Sequence, residues 1–227
     1  VGSEMCIRDR DKNLVADYGS AVMRGMQDGG VVACAKHFPG HGDTEVDSHK
    51  ALPVLKFPKE RLDSVELYPF RRLIKDGVEM VMVGHLLVPV LDTLPASVSK
   101  VVVTDLLRKK MKFRGLIITD ALGMEGVLEP FGGSGAKATL AAYKAGVDIL
   151  LMPDNVSESI DLIVDYIGDD RRKLKDLDAR VSRVLALKGK CGKLTGRDDL
   201  SVDPAAVDTK GTDALITTIE ETLAAGR

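Results

Sequence analysis

Four short apolar runs, 31–35 (VVACA), 80–83 (MVMV), 115–119 (GLIIT) and 147–152 (VDILLM), are separated by segments with helical periodicity. Runs of this length, rich in branched aliphatic residues, read as buried strands of a parallel sheet. Between and around them, apolar residues recur at helical spacing. Leu14, Val15, Tyr18, Ala21, Val22 and Met26 mark a first helix stopped by Gly29-Gly30. Pro58 opens a second as a first-turn proline, with Leu62, Val65, Leu67, Phe70, Leu73 and Ile74 along it to Gly77. Ser99 is placed to cap a helix through Lys112, 136–145 is closed by Gly146, and two further helices fit 156–167 and about 173–190.

Strand–helix alternation of this kind defines an α/β fold. The strand ends fall at His37, His85, Asp120 and Pro153, spaced by 48, 35 and 33 residues, and three of the four carry a polar side chain. An open doubly wound sheet would alternate in the same way. However, no glycine-rich phosphate turn follows any strand, and the period suits a TIM-like (β/α)8 barrel. A full barrel takes roughly 250 residues. The chain is therefore expected to be the C-terminal part of one, with about four βα units, truncated at its front and exposing two sheet edges and an uncovered core face.

Composition sets further bounds. With 4% aromatic residues and no Trp among 227, branched aliphatics, Leu and Ala must build the core. A formal charge of −2 gives no electrostatic case for a nucleic-acid partner. No apolar stretch is long enough to span a membrane and no signal peptide stands at the start, so the compartment stays open between cytoplasm and periplasm. Cys34 and Cys191 have no evident partner and are expected as free thiols. Residues 1–10 (VGSEMCIRDR) match neither pattern and resemble translated adapter sequence; they are set aside. The barrel segment is thus placed at 11–191. Residues 192–227 read as a polar tail or linker with a weakly amphipathic stretch around 212–224, leading toward a further C-terminal domain.

The chemistry is concentrated in fourteen residues, Lys36 to His49 (KHFPGHGDTEVDSH), which carry three histidines, one lysine and three carboxylates. Pro39, Gly40 and Gly42 interrupt regular structure, so these groups occupy a strand end and the loop after it. Asp120 ends a run of four apolar residues. Its charge there calls for a partner or a use: a helix cap, a structural ion pair, or a catalytic carboxylate. A second group able to give and take a proton near neutrality is at hand in His49, because Asp47, two residues earlier, can fix its tautomer and stabilise its imidazolium. On these residues alone, an ordinary loop histidine is the favoured reading of His49. Lys36 and His37 are adjacent, so strict alternation points only one inward unless the strand breaks at His37. Lys36 could instead serve in a salt bridge. His41 is expected to organise the loop, His85 is a pocket-lining candidate without an assigned role, and Met80, Met82, Met111, Met124 and Met152 read as core filler.

These blocks resemble the signature of glycoside hydrolase family 3, closest to its β-N-acetylglucosaminidase branch. The likeness continues through Leu52-Pro53, Glu66–Phe70 (ELYPF), Met82–Leu86 (MVGHL), Thr119–Met124 (TDALGM) and Ala145–Pro153 (AGVDILLMP), from about 12 to 190. The resemblance implies a retaining exo-glycosidase that removes terminal β-linked N-acetylglucosamine from cell-wall or chitin-type oligosaccharides, without cofactor or metal. By motif position it implies Asp120 as nucleophile, His49 with Asp47 as acid/base dyad, and Lys36 with His37 as ligands of sugar hydroxyls. The family also carries an arginine block ahead of the first helix; residues 1–10 stand in that place, so Arg8 and Arg10 inherit no role. This segment alone is expected to be inactive. The competing readings are a phosphorylase using the same residues, a metal-dependent barrel hydrolase with ligands among His37, His41, Asp43, Asp47 and His49, and an inactive sugar-binding fragment.

Overall fold

The computed structural model describes residues 11–41 and 52–191, all within the first of two units into which the chain divides, Val1–Gly192. The His49 and Asp47 assignments, and the tail, lie outside the described residues. Three strands, β1 (Cys34–Phe38), β2 (Met80–Val83) and β3 (Leu116–Thr119), form a parallel sheet in the order β1-β2-β3. The α-helices are α1 (Lys12–Asp28), α2 (Lys59–Arg61), α3 (Leu67–Lys75), α4 (Glu125–Leu128), α5 (Gly135–Ala145), α6 (Val156–Ile167) and α7 (Arg171–Lys190). Wider π-type turns replace α-helix at Leu62–Glu66 and Val101–Lys110.

The caps explain most boundaries. Asp11, Ser134, Asn155 and Asp170 accept backbone N–H bonds at the starts of α1, α5, α6 and α7. Gly146, at φ 108°, closes α5 in the left-handed conformation that other residues avoid. Pro58 lies one residue earlier than expected, as the N-cap before α2. Ser99 Oγ accepts the Val102 N–H at 3.2 Å, so the expected cap is present, but it opens a π-wound segment.

All four residues of β3 are buried, whereas β1 and β2 bury one face and half-expose the other. On the covered side Phe38, Val81, Val83 and Ile117 are fully enclosed, with Phe38 edge-on to Phe70 of α3 at 5.1 Å between ring centroids. The first strand begins later than its apolar run suggests: Val31 is 55% exposed and precedes β1. Helix α1 buries Ala16, Ser20 and Met23 against the unit, while Leu14, Tyr18, Val22 and Met26, the stripe that announced the helix, stay exposed. Met152 is not core filler either, since it is 69% exposed at φ 47°.

The expected fourth strand is a single bridge, Ile118↔Ile149. Its backbone does run beside β3: Thr119 donates to Ile149 O at 3.1 Å, Ile149 to Ile117 O at 3.1 Å, and Leu122 to Leu151 O at 2.9 Å. Side chains take the remaining ladder positions. Ile117 N–H goes to Asp148 Oδ2 at 2.8 Å and Leu151 N–H to Thr119 Oγ1 at 3.0 Å, which truncates the regular pairing.

Candidate functional site

The carboxyl ends of the three strands bring His37, His85 and Asp120 together. Asp120 follows β3 directly, and its N–H continues the ladder to Val83 O at 3.0 Å. One carboxylate oxygen, Oδ1, accepts the Ala121 N–H at 2.9 Å. The other, Oδ2, faces His37 Nε2 at 3.5 Å, and both side chains keep about a quarter or less of their surface in solvent. The structure therefore brings Asp120 and His37 side by side.

A bulge in β1 makes that convergence possible. Ala35 pairs with Val81 and Phe38 with Val83, so Lys36 and His37 together oppose Met82 alone. The peptides Lys36–His37 and Phe38–Pro39 are cis. Lys36 is exposed, and His37 is half-buried on the Asp120 side. The charge of Lys36 is felt at His37, and the His41 ring lies edge-on to His37 at 5.7 Å between centroids. Close approach also needs Gly84: a Cβ there would stand 3.1 Å from His37 Cβ. Burial holds the His37 pKa below the usual imidazole range; Asp120 pulls it upward, while Lys36, His41 and His85 push it down.

His85 does not line an open pocket. It is 1% exposed, with Nδ1 2.7 Å from Ser97 Oγ and Nε2 2.8 Å from Ala121 O. A carbonyl can only accept, so Nε2 carries the proton and Nδ1 accepts from the Ser97 hydroxyl. Its pKa is lowered chiefly by burial, against the Ala121 hydrogen bond and Asp120. The one hint of this residue in the sequence was a polar side chain after MVMV and Gly84; its partners, 12 and 36 residues away, gave none.

Cys34 and Cys191 are free thiols, and burial raises Cys34 to about 11. Among the described residues no group of three or more His, Cys, Asp or Glu is arranged to hold a metal ion; Asp43, Asp47 and His49 of the metal reading lie outside them. No helix among the described residues is long and apolar enough to cross a membrane.

A parallel βα layer that gathers carboxylate and imidazole at its strand ends defines an α/β protein with a polar site on the strand-end side. Residues 9–187 match the model of the glycosyl hydrolase family 3 N-terminal domain, and the chain belongs to that family. It is similar to a beta-hexosaminidase of Methylobacillus flagellatus, 35% identical over 69% of this chain and 46% of that one. Among solved structures it resembles a family 3 beta-N-acetylglucosaminidase from Paenibacillus sp. (TM-score 0.76, 37% identity, 85% of this chain and 37% of that one). It also resembles a beta-glucoside phosphorylase bound to 2FGlc (TM-score 0.74, 26% identity, 83% of this chain and 35% of that one). The chain thus spans less than half the length of each.

Proposed function

We propose that this chain is the strand-end half of the catalytic site of a retaining exo-glycosidase acting on terminal β-linked N-acetylglucosamine in cell-wall or chitin-type oligosaccharides. Two hexosaminidase-type relatives at 35–37% identity support the substrate class. The observation that carries the reading is the Asp120 carboxylate, held by a backbone N–H at a strand end and facing His37 Nε2 at 3.5 Å.

In the proposed reaction Asp120 attacks the anomeric carbon while the glycosidic C–O bond breaks. The His49 imidazolium, stabilised by Asp47, gives its proton to the departing oxygen. Water then adds at the anomeric carbon, loses a proton to His49, and displaces the Asp120 carboxylate. A histidine suits this exchange because its ordinary pKa lies near neutrality. Lys36 and His37 bind sugar hydroxyls on the Asp120 side, using the bulge that presents adjacent residues together.

The test is hydrolysis of a chromogenic N-acetyl-β-glucosaminide by the full-length protein. Asp120→Ala and Asp120→Asn should each abolish turnover, and retained activity in either removes the nucleophile assignment. The likeness to a beta-glucoside phosphorylase supports a second reading in which phosphate replaces water. The same assay with and without inorganic phosphate separates them, since a phosphorylase depends on phosphate and releases a sugar phosphate.

A further inference from the structure

The geometry points to His85 as a positioning residue for the Asp120 nucleophile, acting through the Ala121 carbonyl. This inference rests on the reading of Asp120 as nucleophile. The turn that carries Asp120 is held at successive peptide groups. The Asp120 N–H is tied to Val83 O of β2, and the Ala121 N–H to the Asp120 carboxylate itself. At the next peptide both ends are fixed, with Leu122 N–H on Leu151 O at 2.9 Å and Ala121 C=O on His85 Nε2 at 2.8 Å.

Apart from the Asp120 carboxylate itself, His85 is the one side chain in these ties among the described residues. It is fully buried, and Ser97, also fully buried, holds its other ring nitrogen at 2.7 Å. The Ala121 carbonyl selects the Nε2–H tautomer, because a proton on Nδ1 alone would leave two acceptors, Nε2 and Ala121 O, facing each other; the Ser97 hydroxyl then donates to Nδ1 and holds the ring in place. The orientation of the Ala121 N–H on the carboxylate depends on the peptide that follows it. If the Ala121 carbonyl is released, the nucleophile turn can rotate. A carboxylate displaced by a fraction of an ångström attacks poorly, while sugar binding through other groups is preserved.

The experiment compares His85→Leu, His85→Gln and Ser97→Ala in the full-length protein. Steady-state kinetics are followed on the chromogenic N-acetyl-β-glucosaminide, alongside the rate of covalent labelling by a slow-turnover fluorinated N-acetylglucosaminyl donor. His85→Leu keeps the volume but removes the donor; kcat and the labelling rate should fall about tenfold to a hundredfold with KM unchanged. His85→Gln can restore an N–H at the same reach and should recover most of that loss. Ser97→Ala should give a smaller kcat loss of the same kind, and it remains informative if His85→Leu does not fold. Wild-type labelling of Asp120 in His85→Leu overturns the role of His85. So does a kcat loss in His85→Leu that Gln does not relieve, or an unchanged kcat in Ser97→Ala. A label that lands on a residue other than Asp120 overturns the nucleophile reading instead, which keeps the two failures distinct.

Discussion

At His37 and His85 the folded chain keeps two imidazoles neutral by burying them, and this makes its stability depend on pH. Both have pKa values lowered in the fold, with burial as the main cause at each. An imidazole in the unfolded chain takes its proton near about 6.5. Between that value and the lower folded one, the unfolded state binds more protons, so stability is full above about pH 6.5 and is lost as pH falls through and below it. Around His37 Asp120 opposes this lowering of the pKa while Lys36, His41 and His85 reinforce it; around His85 the Ala121 carbonyl and Asp120 oppose it. The melting temperature should be level between about pH 8 and 7 and decline below about 6.5. In His85→Gln the decline should be shallower, because one of the two protons taken up on unfolding is gone. A melting temperature that rises on acidification, or the same slope in both proteins, would contradict this.

At the scale of elements, Asp148 ties the most distant parts of the layer together. Its carboxylate has no exposure and meets Arg108 at 2.6 Å, Arg183 of α7 at 2.7 Å and the Ile117 N–H of β3 at 2.8 Å. Arg108 also bonds Phe113 O and Gly115 O, which places the π-wound segment beside the start of β3. Asp148→Asn keeps the shape but leaves two partly buried guanidinium groups without their counter-charge, which costs on the order of 3 kcal/mol. Urea denaturation of the two proteins would read this as a lower midpoint at unchanged slope, and a change under about 1 kcal/mol would mean that solvent already screens the cluster. This node also shows where sequence reading stopped. Periodicity located β2, β3, α5, α6 and α7, because those elements depend on nearest neighbours along the chain. It overstated the fourth strand, because Asp148 and Thr119 occupy ladder positions from side chains that no alternation pattern reveals. Asp120 was legible as a charge at the end of an apolar run. The bulge that turns His37 toward it was not, because it arises from the register of β1 on β2.

For the whole molecule, the decisive quantity is apolar surface that the described residues leave uncovered. Leu14, Tyr18, Val22 and Met26 form one stripe along α1, and Val156, Ile160 and Val164 form another along α6. Residues spaced by four lie on one helix face, so each set is a continuous apolar strip, unlike singly scattered hydrophobics. The half-exposed face of β1 and β2 adds to it, and among the described residues β1 has no strand on its outer side. Each methylene removed from water contributes about 0.8 kcal/mol, so pairing two such strips offsets a large share of the entropy lost on association. The 227-residue chain is therefore expected to associate as concentration rises, with light scattering reporting masses above one chain. Replacing one residue in each strip, Val22→Glu with Ile160→Glu, should restore the single-chain mass. Stability should stay within about 0.5 kcal/mol, because both side chains already stand in solvent. A chain that remains monomeric at every concentration, with one sharp reversible melting transition, would show that these strips are tolerated as they stand. The same loss of stability in the double variant as in a core substitution would show instead that the strips are covered from within the chain.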